Sequence, residues 1–232
     1  MGVLMYMGRA IAVLASGIVV VGMSASASLG ADGDRAYWSL DELGTPAVAE
    51  DSIGDNDGTN YDIIGTGSGY VFNGTSSRVV VPSDPSLNPG GAGFSYGATI
   101  IMNASPPLGG SDDIIRKGIT TSSGGDYKLE IVGTKNGARA RCVVKDAAKV
   151  KAAIQGTVEI ANGVPHTITC SKTSTGVTIR IDSAKPRVRS VNSLGSVANS
   201  NNLGLGAKAE ATARTGFDWF DGTMTEAWVR ID

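Results

Sequence analysis

Histidine appears once and cysteine twice in these 232 residues, and each scarcity removes a class of chemistry. A lone His166 excludes metal centres built from several imidazoles. Two widely separated cysteines provide neither a Cys-x-x-Cys redox pair nor a zinc knuckle. Aromatic residues make up 6% and charged residues 18%, the latter below the usual quarter or so. With 20 basic against 22 acidic side chains, no net positive field draws in nucleic acid or anionic lipid. No apolar run reaches the ~20 residues that cross a bilayer. Glu-, Lys- and Leu-rich helical repeats are also missing, which disfavours a bundle or coiled coil. Glycine is what abounds: its 32 residues are about twice the average share and point to many turns between short strands.

The opening MGVLMYMGRAIAVLASGIVVVGMSASASLG sets Arg9 before an apolar stretch, Ala10 to Met23, that ends at Ala25-Ser26-Ala27. A basic start, a short apolar core and a small-x-small triplet predict a secretory signal peptide over residues 1–27, with an uncleaved anchor as the alternative. Met1, Met5 or Met7 can serve as the initiator. A short tail, 28–34, then leads into one domain, 35–232, expected to be extracellular, with no membrane span once the leader is cut. Export permits oxidation, so Cys142 in RARCVVKD and Cys170 in HTITCSKT either pair with each other or remain as buried thiols; pairing is the simpler reading.

Period-two alternation recurs along the domain. Ala36, Trp38 and Leu40 share a face, as do Phe94, Tyr96, Ala98, Ile100 and Met102. Tyr127, Leu129 and Ile131 oppose Lys128 and Glu130, and Val177, Ile179 and Ile181 oppose Thr178, Arg180 and Asp182. In the final TMTEAWVRI, Thr225, Ala227, Val229 and Ile231 oppose Glu226, Trp228 and Arg230. One apolar and one polar face per strand is the pattern of an antiparallel sheet. Asn136-Gly137 suits a type I′ hairpin turn, and Thr173 to Gly176 a second hairpin. KDAAKVKAAIQG, 145–156, has helical composition; we read it as strands overriding local propensity rather than as a surface helix. The sum is an all-β, antiparallel β-sandwich.

The order of segments resembles the laminin-G-like, concanavalin A-like lectin/glucanase jelly roll of many secreted actinobacterial proteins. AYWSLDE with AVAEDSIGDNDGTN is similar to that family's opening strand and Asp/Gly-rich loop, and GYVFNGTSSRVVVP to its Phe-Asn-Gly and valine-rich strand. FSYGATIIM, IIRKG with DYKLEI, HTITCSKTSTGVTIRID, and NNLGLGAKAEATARTGFDWFDGTMTEAWVRI resemble the segments that follow, so the likeness covers residues 35 to 232. It implies a jelly roll, and cysteines in these two strands imply the Cys142–Cys170 bond. Pro165 departs from the family's usual Trp before the histidine, and Thr225 stands where an Asp commonly helps hold a structural Ca²⁺. Calcium needs six to eight oxygens, so Glu42, Asp51 and Asp221 are left as the carboxylates for such an ion; Asp in loops also serves as a plain turn former.

Catalytic constellations are poor. The nearest approach to the Glu-x-Asp-x-Glu of related hydrolases is Asp126-Tyr127-Lys128-Leu129-Glu130, with a lysine at its centre that would hold both carboxylates ionised. This reads as a solvated hairpin face. His166 has no Gly-x-Ser-x-Gly elbow to serve, and Gly65, Gly67 and Gly69 lead into a strand rather than a phosphate-binding helix. Asn73-Gly74-Thr75 and Asn103-Ala104-Ser105 match glycosylation sequons. Sugar recognition needs aromatic faces flanked by polar groups; Trp228 between Glu226 and Arg230, Trp219 beside Asp218 and Asp221, and Tyr61 in an Asp/Asn-rich loop offer them. The expected function is a secreted, non-catalytic, lectin-like module for carbohydrate or a cell-surface polymer. A structural or protein-contact module comes next, and a glycoside hydrolase third.

Overall fold

The computed structural model describes residues 33–210 and 218–232; the expected leader and most of the 28–34 tail lie outside them. In chain order the strands are β1 (Asp34–Trp38), β2 (Leu43–Gly44), β3 (Val48–Ala49), β4 (Gly58–Tyr61), β5 (Ile64–Thr66), β6 (Tyr70–Asn73), β7 (Arg78–Val81), β8 (Phe94–Ile101) and β9 (Ser111–Lys117). They continue with β10 (Asp126–Thr134), β11 (Gly137–Lys145), β12 (Lys151–Gln155), β13 (His166–Thr173), β14 (Gly176–Ile181), β15 (Arg187–Ser190), β16 (Leu203–Leu205) and β17 (Asp221–Ile231). A nine-stranded sheet runs β15-β14-β13-β8-β17-β6-β5-β2, with β1 also on β17. An eight-stranded sheet runs β12-β11-β10-β9-β16-β7-β4-β3. Every strand pairing is antiparallel. Among the described residues no helix is long and apolar enough to cross a membrane.

The inner faces meet in one core, and the alternating residues read from the sequence fill it. Trp38, Tyr96, Ile100, Tyr127, Leu129, Ile168 and Val229 are all fully buried. The phenol of Tyr96 donates to the main-chain oxygens of Lys128 and Val143, each 3.1 Å away, so that ring ties β8 of one sheet to β10 and β11 of the other. Cys142 on β11 and Cys170 on β13 form a disulfide across the same core, with Cα atoms 5.6 Å apart.

Two local expectations change. The β10–β11 hairpin forms where Asn136-Gly137 placed it, but Thr134 pairs with Gly137, and of the turn residues only Gly137 takes positive φ, at 91°. A type I′ turn needs positive φ at both loop residues, so the turn is of another kind and the glycine does the left-handed work alone. In β17 the register slips between Met224 and Glu226, which puts Met224 in the core and leaves Thr225 on the bulge, half-exposed. Simple alternation cannot survive such an insertion. The reading of residues 145–156 as strand rather than helix holds: β11 runs into β12 with a turn between, and cross-strand pairing from Arg141 to Lys145 overrides the helical composition.

Candidate functional site

The outer face of the eight-stranded sheet is charged yet closed, not solvated. Asp113 on β9 and Glu130 on β10 are register partners, and both are 0% exposed. A bulge at Ile114 turns Asp113 outward beside Glu130 and sends Ile114 and Ile115 inward. Arg116 bridges Asp113 at 2.9 Å and donates through Nε to the Gly118 carbonyl at 2.9 Å. Arg141 donates to Glu130 Oε1 at 2.6 Å, Lys128 pairs with the other Glu130 oxygen, and Lys128 lies 3.6 Å from Asp113. Lys145 meets Asp126 at 2.6 Å and the Thr120 carbonyl at 2.6 Å. Burial pushes the Asp113 carboxyl up against the pull of Arg116 and Lys128. Burial also opposes ionisation of Glu130, but the Arg141 hydrogen bond and the Lys128 charge outweigh it and hold that carboxyl below its usual range. The cations therefore cap two ionisable groups instead of leaving them open to a substrate.

Beside this cluster lies a groove of about 440 Å³ lined by Arg116, Ile119, Thr120, Thr121, Lys128, Lys208 and Asp218. Asp218 leaves an ion pair with Lys208 at 2.9 Å and approaches Arg116 at 3.9 Å. The next residue, Trp219, extends the site towards β7 and β4. There Arg78 and Tyr61 are register partners, with the Arg78 guanidinium 4.0 Å from the Tyr61 ring centroid and 5.9 Å from that of Trp219. Tyr61 is 41% exposed. Among the described residues no carboxylate pairs with Arg78. Two sequence candidates distant along the chain are thus gathered around a cation the sequence reading did not single out. The signal was present: Arg78 opens RVVV, where alternation sends it outward opposite buried Val79 and Val81. Asp113 and Arg116 were hidden by the β9 bulge.

The remaining candidates lie elsewhere. Trp228 sits on the outer face of the nine-stranded sheet but is only 7% exposed. Its ring lies against Gly97, where an added Cβ would fall 2.4 Å from Trp228 Cζ2. That packing covers the ring, so Trp228 is not an open platform for a ligand. Glu226 accepts from Tyr37 Oη at 2.6 Å and from Thr99 Oγ1 at 2.7 Å, and Arg230 pairs with Asp34. Burial first, then Glu226, pushes the Tyr37 phenol above its ordinary value.

The calcium candidates are not brought together either. Glu42 accepts from Tyr70 Oη at 2.6 Å and from the Glu50 amide at 2.9 Å. Asp51 accepts from the amides of Tyr37 and Asn56 at 2.9 and 3.1 Å, and Asp221 lies at the start of β17 against Gly74. Among the described residues no group of three or more His, Cys, Asp or Glu is placed to hold a metal. Glu42 and Asp51 instead organise their loops. His166, 5% exposed, bonds Asp182 at 2.7 Å and Asn162 at 3.1 Å at the rim of the core.

No family model and no curated protein matches this sequence. Solved structures do. The laminin α1 chain domains LG4-5 of mouse align over 71% of this chain and 43% of theirs, at 16% identity and TM-score 0.53. The Trypanosoma rangeli sialidase in complex with sialic acid aligns over 88% of this chain and 31% of its own, at 17% identity and TM-score 0.61. The botulinum neurotoxin serotype D ligand-binding domain in complex with N-acetylneuraminic acid aligns over 86% of this chain and 46% of its own, at 11% identity and TM-score 0.56. The chain spans less than half the length of each. With two antiparallel sheets packed on one core and these neighbours, the architecture is the concanavalin A-like, laminin G-like jelly roll.

Proposed function

We propose that the protein is a secreted, non-catalytic, lectin-like module that binds carbohydrate or a cell-surface polymer through the outer face of its eight-stranded sheet. The observation that carries this reading is the Tyr61–Arg78–Trp219 cluster beside the groove. Sugar rings pair an apolar face with polar edges; an exposed phenol ring flanked by a guanidinium that has no carboxylate partner among the described residues meets both. The groove lining itself holds Arg116, Lys128 and Lys208 against Asp218, which favours a sugar bearing carboxylate or sulfate. Two of the structural neighbours are complexes with sialic acid or N-acetylneuraminic acid, carboxylated sugars. The capped carboxylates argue against the hydrolase reading, because a glycosidase needs one raised and one ionised acid open to the scissile bond.

A glycan-array screen of the full-length protein, run with calcium and with EDTA, tests this. Binding is expected to favour acidic glycans and to be indifferent to EDTA. Stacking contributes about 0.5–1.5 kcal/mol per ring, so Tyr61→Ala with Trp219→Ala weakens binding by about 5- to 150-fold. Binding that survives both changes, binding abolished by EDTA, or no binding to any glycan would overturn the assignment.

A further inference from the structure

The two ends of the sandwich carry opposite charge. No Lys or Arg occurs between Arg35 and Arg78, a stretch that holds β2, β3, β4 and β5. These strands form one end of both sheets. Asp41, Glu50, Asp57 and Asp62 are exposed there, with Glu42 half-buried among them. At the other end, β12 lies against β14 and β15. Exposed Lys149, Lys151, Arg180, Lys185, Arg187 and Arg189 surround it, with Asp182 the exposed acid among them.

Each charged end also shows apolar side chains to solvent. Leu43 on β2 is 77% exposed, Ile64 on β5 57% and Val48 on β3 43%. Opposite them, Val188 on β15 is 63% exposed and Val150, next to β12, 39%. Val188 stands between Arg187 and Arg189, and Leu43 follows Asp41 and Glu42. The terminal strands β15 and β2 of the nine-stranded sheet each keep one unpaired edge among the described residues. Open edges of this kind are sites for pairing with another chain.

We infer that the chain associates end to end with further copies of itself, the acidic β2/β3 end of one molecule against the basic β12/β15 end of the next. Complementary charge surrounding apolar residues at both ends is what selects a second copy: an anionic polymer would account for the basic end and leave the acidic end and its exposed leucine, isoleucine and valine unused. The contact is heterologous, since the two surfaces differ. Such contacts continue into open chains unless rotation closes them into a ring.

Sedimentation velocity of the full-length protein over a concentration series, in salt from about 0.01 M to about 1 M, provides the test. The Debye length falls over that range from about 30 Å to about 3 Å. Low salt is expected to give a concentration-dependent series of species that collapses to monomer in high salt. Arg187→Gln with Arg189→Gln disables one end, and Glu50→Gln with Asp57→Asn the other; either variant alone stays monomeric. Each retains one intact end, so an equimolar mixture of the two forms dimers and nothing longer. A protein that stays monomeric at every concentration and salt, assembly unaffected by either pair of substitutions, or a mixture that grows beyond dimers would each overturn the inference. So would retention of an acidic polysaccharide at the basic end without self-association.

Discussion

Breaking the Cys142–Cys170 bond tests how far the core depends on a covalent tie between its two layers. The cysteines stand 28 residues apart, are fully buried, and join β11 of one sheet to β13 of the other. In the chain-entropy account, a crosslink closing a loop of this length removes unfolded-state freedom worth about 3.5 kcal/mol at 25 °C. For a domain of this size each kcal/mol shifts Tm by about 2–4 °C, so reduction should lower Tm by about 7–14 °C. The assay compares oxidised protein with protein reduced while unfolded and refolded in excess thiol, by thermal and by urea denaturation at the same pH. Because the crosslink restrains the unfolded ensemble, the reduced chain should also show a larger m value. Cys142→Ala with Cys170→Ala should fall further than reduction alone, since two deleted sulfurs leave a cavity. Midpoints that agree within about 1 °C would refute this reasoning, as would two labelled thiols in unreduced, denatured protein.

Other consequences are as direct. Gly97→Ala places a methyl 2.3 Å from the Ile168 carbonyl oxygen and 2.4 Å from Trp228 Cζ2; a loss of about 1–3 kcal/mol is expected, and an unchanged urea midpoint would show that the Trp228 ring does not pack over Gly97. Glu130→Gln takes the shared anion from Lys128 and from Arg141, whose side chain is 39% exposed, so with one cation still hydrated it should cost about 1.5–3 kcal/mol by urea denaturation; a loss below about 1 kcal/mol, the range of an exposed pair, would mean that Glu130 is open to water. Burial, then Asp218, Asp221 and Asp113, push the Asp112 carboxyl up to about 7. A carboxyl with a raised folded pKa keeps its proton where the unfolded chain has lost it, so its contribution is most favourable below about pH 4 and declines towards pH 7. Asp112→Asn should therefore raise Tm above wild type at about pH 7.5 and converge with it near pH 4; a difference that does not change with pH would contradict the shift.

The core was legible because alternation is a local property. Ala36, Trp38 and Leu40, or Phe94, Tyr96, Ala98, Ile100 and Met102, could be assigned to the inside from their spacing, and the structure buries them all. Strand over helix at 145–156 was legible for a different reason: the flanking hairpins supplied partners that composition ignores. What escaped depended on register and on distance. The bulges at Ile114 and Thr225 each add one residue to a strand and so reverse the faces beyond them. Lys128 and Glu130 do point away from the core as alternation required, yet neighbouring strands bring Asp113, Arg116 and Arg141 close enough to exclude water. The Tyr61–Arg78–Trp219 cluster draws on β4, β7 and the segment before β17, which meet through sheet order that no local pattern encodes.

The placement of β17 has a consequence for how the molecule is made. This eleven-residue strand is paired along one edge with β8 and along the other with β6 and then β1. Until it is present, β1, β6 and β8 have no common neighbour and the nine-stranded sheet is divided in three: β15-β14-β13-β8, β6-β5-β2 and β1 alone. Pairings of this kind join residues far apart in sequence, the class of topology that folds slowly. β17 follows all the other described strands along the chain, so the nine-stranded sheet cannot close before this segment has left the ribosome.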